Sequence, residues 1–301
     1  MSYQFSIERP ARSVTFPALV MAGIIFAAIA AYTFAACGDR SPDQAAAGEP
    51  PPVVTTSSAA VSTTAEEPAL VISGPVSFGM ADSAYRERRY DDATALFKAY
   101  TESRPTNAWG FYMLGLSAWK SGDRVQAESA FVQAIALDST HIKSQLNLSR
   151  VLLEGGQPES ALVHIEAAIA LDSTSSEPLR LRGRAFEALG KTDDAIVAYQ
   201  RAIELDATDV WAFNNLGALY IRLERFQDAI EPLKTAVQLN DKVATFHNNL
   251  GMALEHLGQF RAAEAEYRGA VAIEGTYGKA VSNLQRVERL KEAPPPTLTQ
   301  P

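Results

Sequence analysis

The sequence predicts an all-α solenoid of six helix-turn-helix units followed by a capping helix. An alanine recurs six times at a constant step of 34 residues, which is typical of stacked repeats. A large apolar residue follows each alanine by four positions, and a small residue precedes it by twelve. The alanines are Ala93, Ala127, Ala161, Ala195, Ala229 and Ala263; the large residues are Phe97, Phe131, Ile165, Tyr199, Leu233 and Tyr267; the small ones are Ala81, Gly115, Ser149, Gly183, Gly217 and Gly251.

Each unit carries two apolar stripes at helical spacing. In the fifth unit these include Leu216 and Tyr220 in the first helix and Ile230 and Leu233 in the second. A helix pair leaves one apolar face bare, so we expect the pairs to stack. The small residues should let the two helices approach closely. A glycine in the turn should end the first helix in four units: Gly122, Gly156, Gly190 and Gly258; units one and five have Arg88 and Glu224 there.

This pattern resembles the tetratricopeptide repeat (TPR) family, whose units place a bulky residue, Leu-Gly, an alanine, an aromatic residue and a second alanine in this order. Two sharp copies are "AFNNLGALY" with "DAIEPLKTAVQLN", and "TFHNNLGMALEHLGQFRAAEAEYRGAVAIE". Six units cover residues 74–277. The resemblance implies a right-handed superhelix with a concave groove lined by the first helices. Arg182 departs from the pattern, because four other units have leucine at its position.

The stack should end in a helix over residues 278–292, where Val281 and Leu284 repeat the first-helix pattern before the sequence turns polar. Terminal units of this kind protect the last apolar face from water. Three prolines follow, so residues 293–301 are predicted to form a disordered tail.

Residues 1–37 are predicted to be a signal or anchor segment. Residues 16–36 carry no charge, Arg9 and Arg12 precede them, and acidic residues follow, which places the rest of the chain outside the cytoplasm. Phe34-Ala35-Ala36-Cys37 resembles the bacterial lipobox, which implies lipidation at Cys37. An uncleaved spanning helix in the inner membrane and an ordinary cleaved signal are the alternatives. We favour a periplasmic, outer-membrane lipoprotein.

Residues 38–73 are rich in Ala, Pro, Ser, Thr and Glu and show no helical or strand period. Such a segment buries too little apolar surface to offset its ordering entropy. It is predicted to be a disordered tether between the membrane and the repeats.

Composition and motifs argue against catalysis. The net charge of −8 disfavours sequence-independent nucleic-acid binding. One Cys and four scattered His offer no metal site, and we find no phosphate loop or nucleophile–base pair. Only residues 278–301 follow the last unit, which is too few for a catalytic domain. We therefore expect no cofactor, no metal and no small-molecule substrate.

The resemblance assigns groove-facing positions to the first helix of each unit. Several of these positions hold aromatic residues, several hold basic residues, and asparagines occupy or adjoin others. The candidate partner-binding residues are Phe78, Tyr85, Trp109, Tyr112, Trp119, Lys143, Asn147, Arg150, Arg180, Arg184, Trp211, Asn214, Asn215, Asn248 and Asn249. Three alternatives stay open: the aromatics pack on the linker or on one another, the charges pair locally, and the asparagines bond inside the stack.

The predicted function is a non-catalytic, membrane-tethered scaffold that binds a protein or peptide partner in the groove. The groove positions include a basic stretch formed by Lys143, Arg150, Arg180 and Arg184, the last two of which lie one helical turn apart. This stretch favours an acidic segment of the partner. The alternative is a structural homo-oligomer, with Trp109 and Trp119 on a dimer face, or an assembly factor that has no groove ligand.

Overall fold

The computed structural model describes Ile72 and residues 74–292, all within one compact unit. The predicted signal or anchor segment with Cys37, the tether apart from Ile72, and the predicted tail lie outside the described residues. Within the described part, no helix combines the length and the apolar character that crossing a membrane requires.

The described residues form thirteen α-helices and contain no strand. This confirms the predicted all-α class. In chain order the helices are α1 Phe78–Arg86, α2 Tyr90–Ser103, α3 Ala108–Ser121, α4 Arg124–Leu137, α5 Ile142–Glu154, α6 Pro158–Leu171, α7 Ser176–Ala188, α8 Thr192–Leu205, α9 Val210–Arg222, α10 Phe226–Leu239, α11 Ala244–His256, α12 Phe260–Ile273 and α13 Gly278–Glu292.

The helices stack in two layers. Each helix packs against the next one in the chain, and each odd-numbered helix also contacts the next odd-numbered helix. Among the described residues, the backbones of the even-numbered helices stay further apart from one another. The first helices of the units therefore form the closer, inner layer and the second helices form the outer layer, as in a superhelical solenoid.

The small residues act as predicted, because they let the two helices of one unit touch. A β-carbon added to Gly217 would lie 2.4 Å from Cγ of Leu233, and one added to Gly183 would lie 2.5 Å from Cε1 of Tyr199. Leu233 and Tyr199 are fully buried. The large residue of the second helix therefore packs directly onto the backbone of the first.

The turns between paired helices also follow the sequence. Gly122, Gly156, Gly190 and Gly258 have positive φ angles between 70° and 90°. Arg88 and Glu224 take the same left-handed conformation, with φ of 62° and 57°. A side chain in this conformation costs roughly 1 kcal/mol relative to glycine. The repeat architecture thus imposes the turn even where the sequence does not favour it.

The fourth unit contains a polar interruption of the core. Arg182 reaches Glu166 of α6 at 3.5 Å, while its Nε is buried with no hydrogen-bond partner among the described residues. One apolar cluster extends as far as Leu181 and Ala185 of α7, and a second contains Ala195 and Tyr199 of α8. The departure from leucine at Arg182 therefore coincides with the boundary between two apolar cores.

Helix α13 closes the stack at its C-terminal end. Ala280 and Val287 are fully buried. Arg286 donates from both Nε and Nη2 to the carboxylate of Glu255 in α11, at 2.7 Å each. This helix packs against α11 and α12, so it covers the last unit as a capping helix should.

Candidate partner-binding groove

At the N-terminal end of the inner layer, two of the predicted anchors are engaged with their own unit. Phe78 packs edge-on against Phe97 at 5.4 Å and Tyr100 at 5.6 Å. Tyr85 packs edge-on against Tyr90 at 5.6 Å. Both side chains are half-buried. This packing matches the alternative in which the aromatics rest on one another.

Trp109 differs, because 44% of it is exposed. Its ring lies 4.9 Å from Tyr112 and 5.6 Å from His141. Burial lowers the pKa of His141, so the ring is neutral near pH 7, and its Nδ1 accepts the backbone N–H of Ser144 at the start of α5. Lys143 is exposed two residues further on. Trp109 is therefore a supported aromatic ring that remains open to solvent.

The other two tryptophans are less open. Trp119 is half-buried and donates its Nε1–H to Glu154 of the next unit at 2.8 Å. Lys120 lies over the Trp119 ring, 5.4 Å from its centre. Trp211 is half-buried and packs edge-on against Phe246 at 5.0 Å. These rings contribute mainly to contacts between neighbouring units.

Two predicted arginines form ion pairs with the next unit. Arg150 pairs with Glu177 of α7. Arg180 pairs with Asp209 at 3.2 Å, and both side chains are at least nine-tenths buried. Burial of one partner without the other would cost several kcal/mol. Arg180 and Arg184 are predicted to bind one carboxylate of a partner together. Because Arg180 already binds Asp209, a partner's carboxylate would have to compete with Asp209 for it. Arg184 is half-buried.

The asparagines connect successive units. The amide of Asn249 donates to Asn214 at 2.9 Å, and that of Asn283 donates to Asn248 at 2.9 Å. Asn147 donates to the Tyr112 hydroxyl at the limiting distance of 3.5 Å. These three bonds each span 35 residues, so they tie one unit to the next. The five predicted asparagines are buried, which matches the alternative of bonding inside the stack.

This series is interrupted at unit four, where Leu181 replaces the donor asparagine, and again between units four and five. Arg180 occupies the position that would accept from Asn215, and a guanidinium has no acceptor. Nδ2 of Asn215 is accordingly buried with no hydrogen-bond partner among the described residues. Its Oδ1 accepts from Asn214 at 3.4 Å.

The candidate partner-binding residues leave out the acidic residues that pair with the basic residues of the inner face. Glu187 pairs with Arg222 and accepts the Tyr199 hydroxyl. Glu255 accepts from Tyr267 at 2.7 Å as well as from Arg286. Burial opposes ionisation of Glu255, but the donated hydrogen bonds outweigh it and lower the pKa of this carboxyl. The sequence signal that could have revealed these ion pairs is a separation of 27 to 35 residues between oppositely charged residues of the inner face.

A shallow depression of about 330 Å³ lies at the C-terminal end of the inner layer, between α11 and α13. Its lining residues are Asn248, Met252, Gly278, Lys279, Ser282 and Asn283. Within residues 74–292, no group of His, Cys, Asp or Glu side chains is arranged to hold a metal ion.

The fold and this inner face define a class: helical-repeat solenoids that present an extended interaction surface. The chain belongs to the tetratricopeptide repeat family. Its sequence matches the family's tetratricopeptide repeat over residues 78–140, 112–176 and 214–283, and its TPR repeat over 183–224. Proteins of this family are generally non-catalytic scaffolds for protein–protein interaction. None of the curated protein sequences matches the chain significantly.

Several solved structures share the fold. The thermophilic TPR protein TTC0263 of Thermus thermophilus is 18% identical with a TM-score of 0.53, over 61% of this chain and all of that protein. PilF of Pseudomonas aeruginosa is 19% identical with a TM-score of 0.55, over 62% of this chain and 84% of that one. A chain of the APC/C hetero-tetramer Cut9–Hcn1 is 20% identical with a TM-score of 0.59, over 69% of this chain and 41% of that one. At these identities the likeness shows the fold alone.

Proposed function

We propose that the chain is a membrane-tethered, extracytoplasmic scaffold whose concave groove binds a segment of a protein partner. Trp109 carries the groove part of this proposal. Its ring is held by Tyr112 and His141 but stays 44% exposed in the inner layer. A rigid aromatic side chain loses little entropy on binding and offers a large contact area, which is why such residues anchor interfaces.

An acidic segment of the partner fits this end of the groove. Lys143 is exposed two residues after His141, whose ring packs against Trp109, and Lys120 lies over the Trp119 ring in the same helix as Trp109. Arg150 and Arg180 already have carboxylate partners inside the protein. Lys143 therefore offers a more accessible charge than Arg150 or Arg180, and the charge of Arg180 is balanced by Asp209. Binding should weaken with added salt, because exposed charges are screened within about 8 Å at physiological ionic strength.

The membrane tether rests on the sequence. Residues 16–36 are uncharged, and the chain's one cysteine, Cys37, follows directly. We favour lipidation at Cys37 and attachment to the outer membrane, with an uncleaved inner-membrane helix as the alternative. The intact mass of the purified protein distinguishes them: loss of residues 1–36 with a lipid adduct supports lipidation, and retention of those residues supports the helix.

The groove is tested by capturing partners on the full-length chain from a cell-envelope extract and quantifying them by mass spectrometry. We expect Trp109→Ala to reduce at least one captured protein by roughly tenfold or more, as truncation of a central aromatic anchor does. Lys143→Glu should reduce the same protein more at low salt than at high salt. Gln227→Ala, an exposed change on α10 of the outer layer, is the control. Equal capture by all four proteins would refute the groove.

A further inference from the structure

The outer layer carries a second unusual surface, on the solvent-facing sides of α4, α6 and α8. Four valines are exposed there: Val125 by 81%, Val132 by 44%, Val163 by 67% and Val197 by 60%. We call these four residues the valine stripe. Nothing in the described part of the chain covers side chains that are exposed to this extent.

The valines share one side of the outer layer. Val125 and Val132 lie seven residues apart, which places them on one face of α4. Val163 and Val197 lie 34 residues apart, so they hold the same position in successive units. The fully buried alanines two residues before each of them, Ala161 and Ala195, face the core. The stripe therefore crosses three successive helices on their outward faces.

The fold itself does not require these valines. The position of Val163 and Val197 holds Ser129 in unit two, Glu231 in unit five and Ala265 in unit six, and all three are exposed. The positions in α10 that correspond to Val125 and Val132 are Gln227 and Lys234, also exposed. The same helix thus forms with polar or small residues at these positions, and an apolar stripe confined to three units needs another explanation.

The rim of the stripe is acidic. Its exposed carboxylates are Glu159, Glu166, Asp193, Asp194 and Glu204. Two of them are paired, Glu204 with Arg201 at 2.7 Å and Glu166 with Arg182 of α7 at 3.5 Å. Glu159, Asp193 and Asp194 remain, against one further exposed arginine of these helices, Arg124, which donates to the backbone oxygen of Glu154 at 3.2 Å. Two copies of the chain meeting through this face would bring their acidic rims together, which is unfavourable. Charge complementarity instead favours a basic partner.

We propose that the valine stripe docks a basic amphipathic helix of a partner protein. The helix lays its apolar side on the four valines, and its lysines or arginines lie against the acidic rim. This surface is separate from the groove, so the scaffold holds two partners of opposite charge on its two faces.

The test measures binding of a fluorescent leucine–lysine amphipathic peptide of about 18 residues to the full chain by anisotropy. The paired change Val163→Ser with Val197→Ser keeps the charge, and it should weaken binding roughly fivefold or more. The matched control is Gln227→Ser with Gln238→Ser, on the outer side of α10, which should leave binding unchanged. A scrambled peptide of the same composition measures the general attraction to an acidic chain, and it should bind roughly tenfold more weakly.

Three outcomes would overturn the proposal. The first is equal binding to the serine pair and the wild type. The second is loss of binding with Trp109→Ala, which would place the peptide in the groove. The third is a concentration-dependent dimer in sedimentation that the serine pair abolishes, which would make a second copy the occupant. The peptide measurement does not depend on whether the capture experiment finds a groove partner. Each of the two proposals can therefore fail while the other stands.

Discussion

Gly217→Ala should destabilise the protein although glycine is a poor helix former. Gly217 lies in the middle of α9, where alanine is intrinsically better by about 1 kcal/mol. The added β-carbon, however, would stand 2.4 Å from Cγ and 2.7 Å from Cδ2 of Leu233. Because Leu233 is fully buried, its side chain has no space into which it can withdraw. Relief of the overlap must separate α9 from α10.

Overpacking of this kind costs roughly 1–3 kcal/mol. An approach of 2.4 Å to a fully buried side chain belongs in the upper part of that range, about 2–3 kcal/mol. After the gain of about 1 kcal/mol in helix propensity, we expect a net loss of about 1–2 kcal/mol, which corresponds to a fall of roughly 2–8 °C in the melting temperature of a domain of this size. Gly79→Ala in α1 is the matched control, because the nearest atom to its added β-carbon is 4.0 Å away. That control should stabilise by about 0.5 kcal/mol.

Thermal and urea unfolding of both variants measure the effect. A double-mutant cycle with Leu233→Ala tests whether the clash with Leu233 causes the loss. In the double variant, the methyl group added at Gly217 partly fills the cavity that Leu233→Ala leaves. The double variant should lose less than the sum of the single losses. If Gly217→Ala matched its control, or if the losses added, the close helix contact would not be what requires glycine here.

Three further predictions concern the turn, the cap and a histidine. Glu224→Gly should stabilise by about 0.5–1 kcal/mol in urea unfolding, because glycine relieves the left-handed conformation; an unchanged midpoint would show that the turn is not strained. Deletion of 278–301 should lower stability by roughly 2–4 kcal/mol through exposure of the last apolar face, whereas deletion of 293–301 alone should not; equal melting temperatures would contradict a capping role. Glu266 raises the pKa of His247 through a hydrogen bond at 2.8 Å, so protonation stabilises the folded state. That contribution is complete below the unfolded value of about 6.5 and is lost as the pH rises through the higher folded value. His247→Gln should therefore cost more stability at about pH 5.5 than at pH 8.5, and the opposite trend would refute the assignment.

The sequence shows the charges of the inner face but not their partners. Arg180 is identifiable as a basic groove position, yet Asp209 lies 29 residues away, at the N-cap of α9, the first helix of unit five. Whether the two meet depends on the rotation and shift between units four and five, and small changes in packing set both. The hydrogen bonds from Asn249 to Asn214 and from Trp119 to Glu154 could not be predicted from the sequence for the same reason. Each is a contact between units, for which a single unit's pattern holds no information.

The sequence by itself determined what repeats within one unit. The step of 34 residues, the glycine beneath Leu233 and the turn glycines are local requirements of a helix pair, and each can be read from spacing and residue size. The tertiary structure alone decided what is free on the surface. It placed the predicted asparagines and Arg180 in the interior and left Trp109 and the valine stripe exposed. Exposure is a property of the whole stack, because it depends on which neighbouring unit covers a side chain. For this reason the sequence defines the scaffold, whereas the stacked structure decides where a partner can bind.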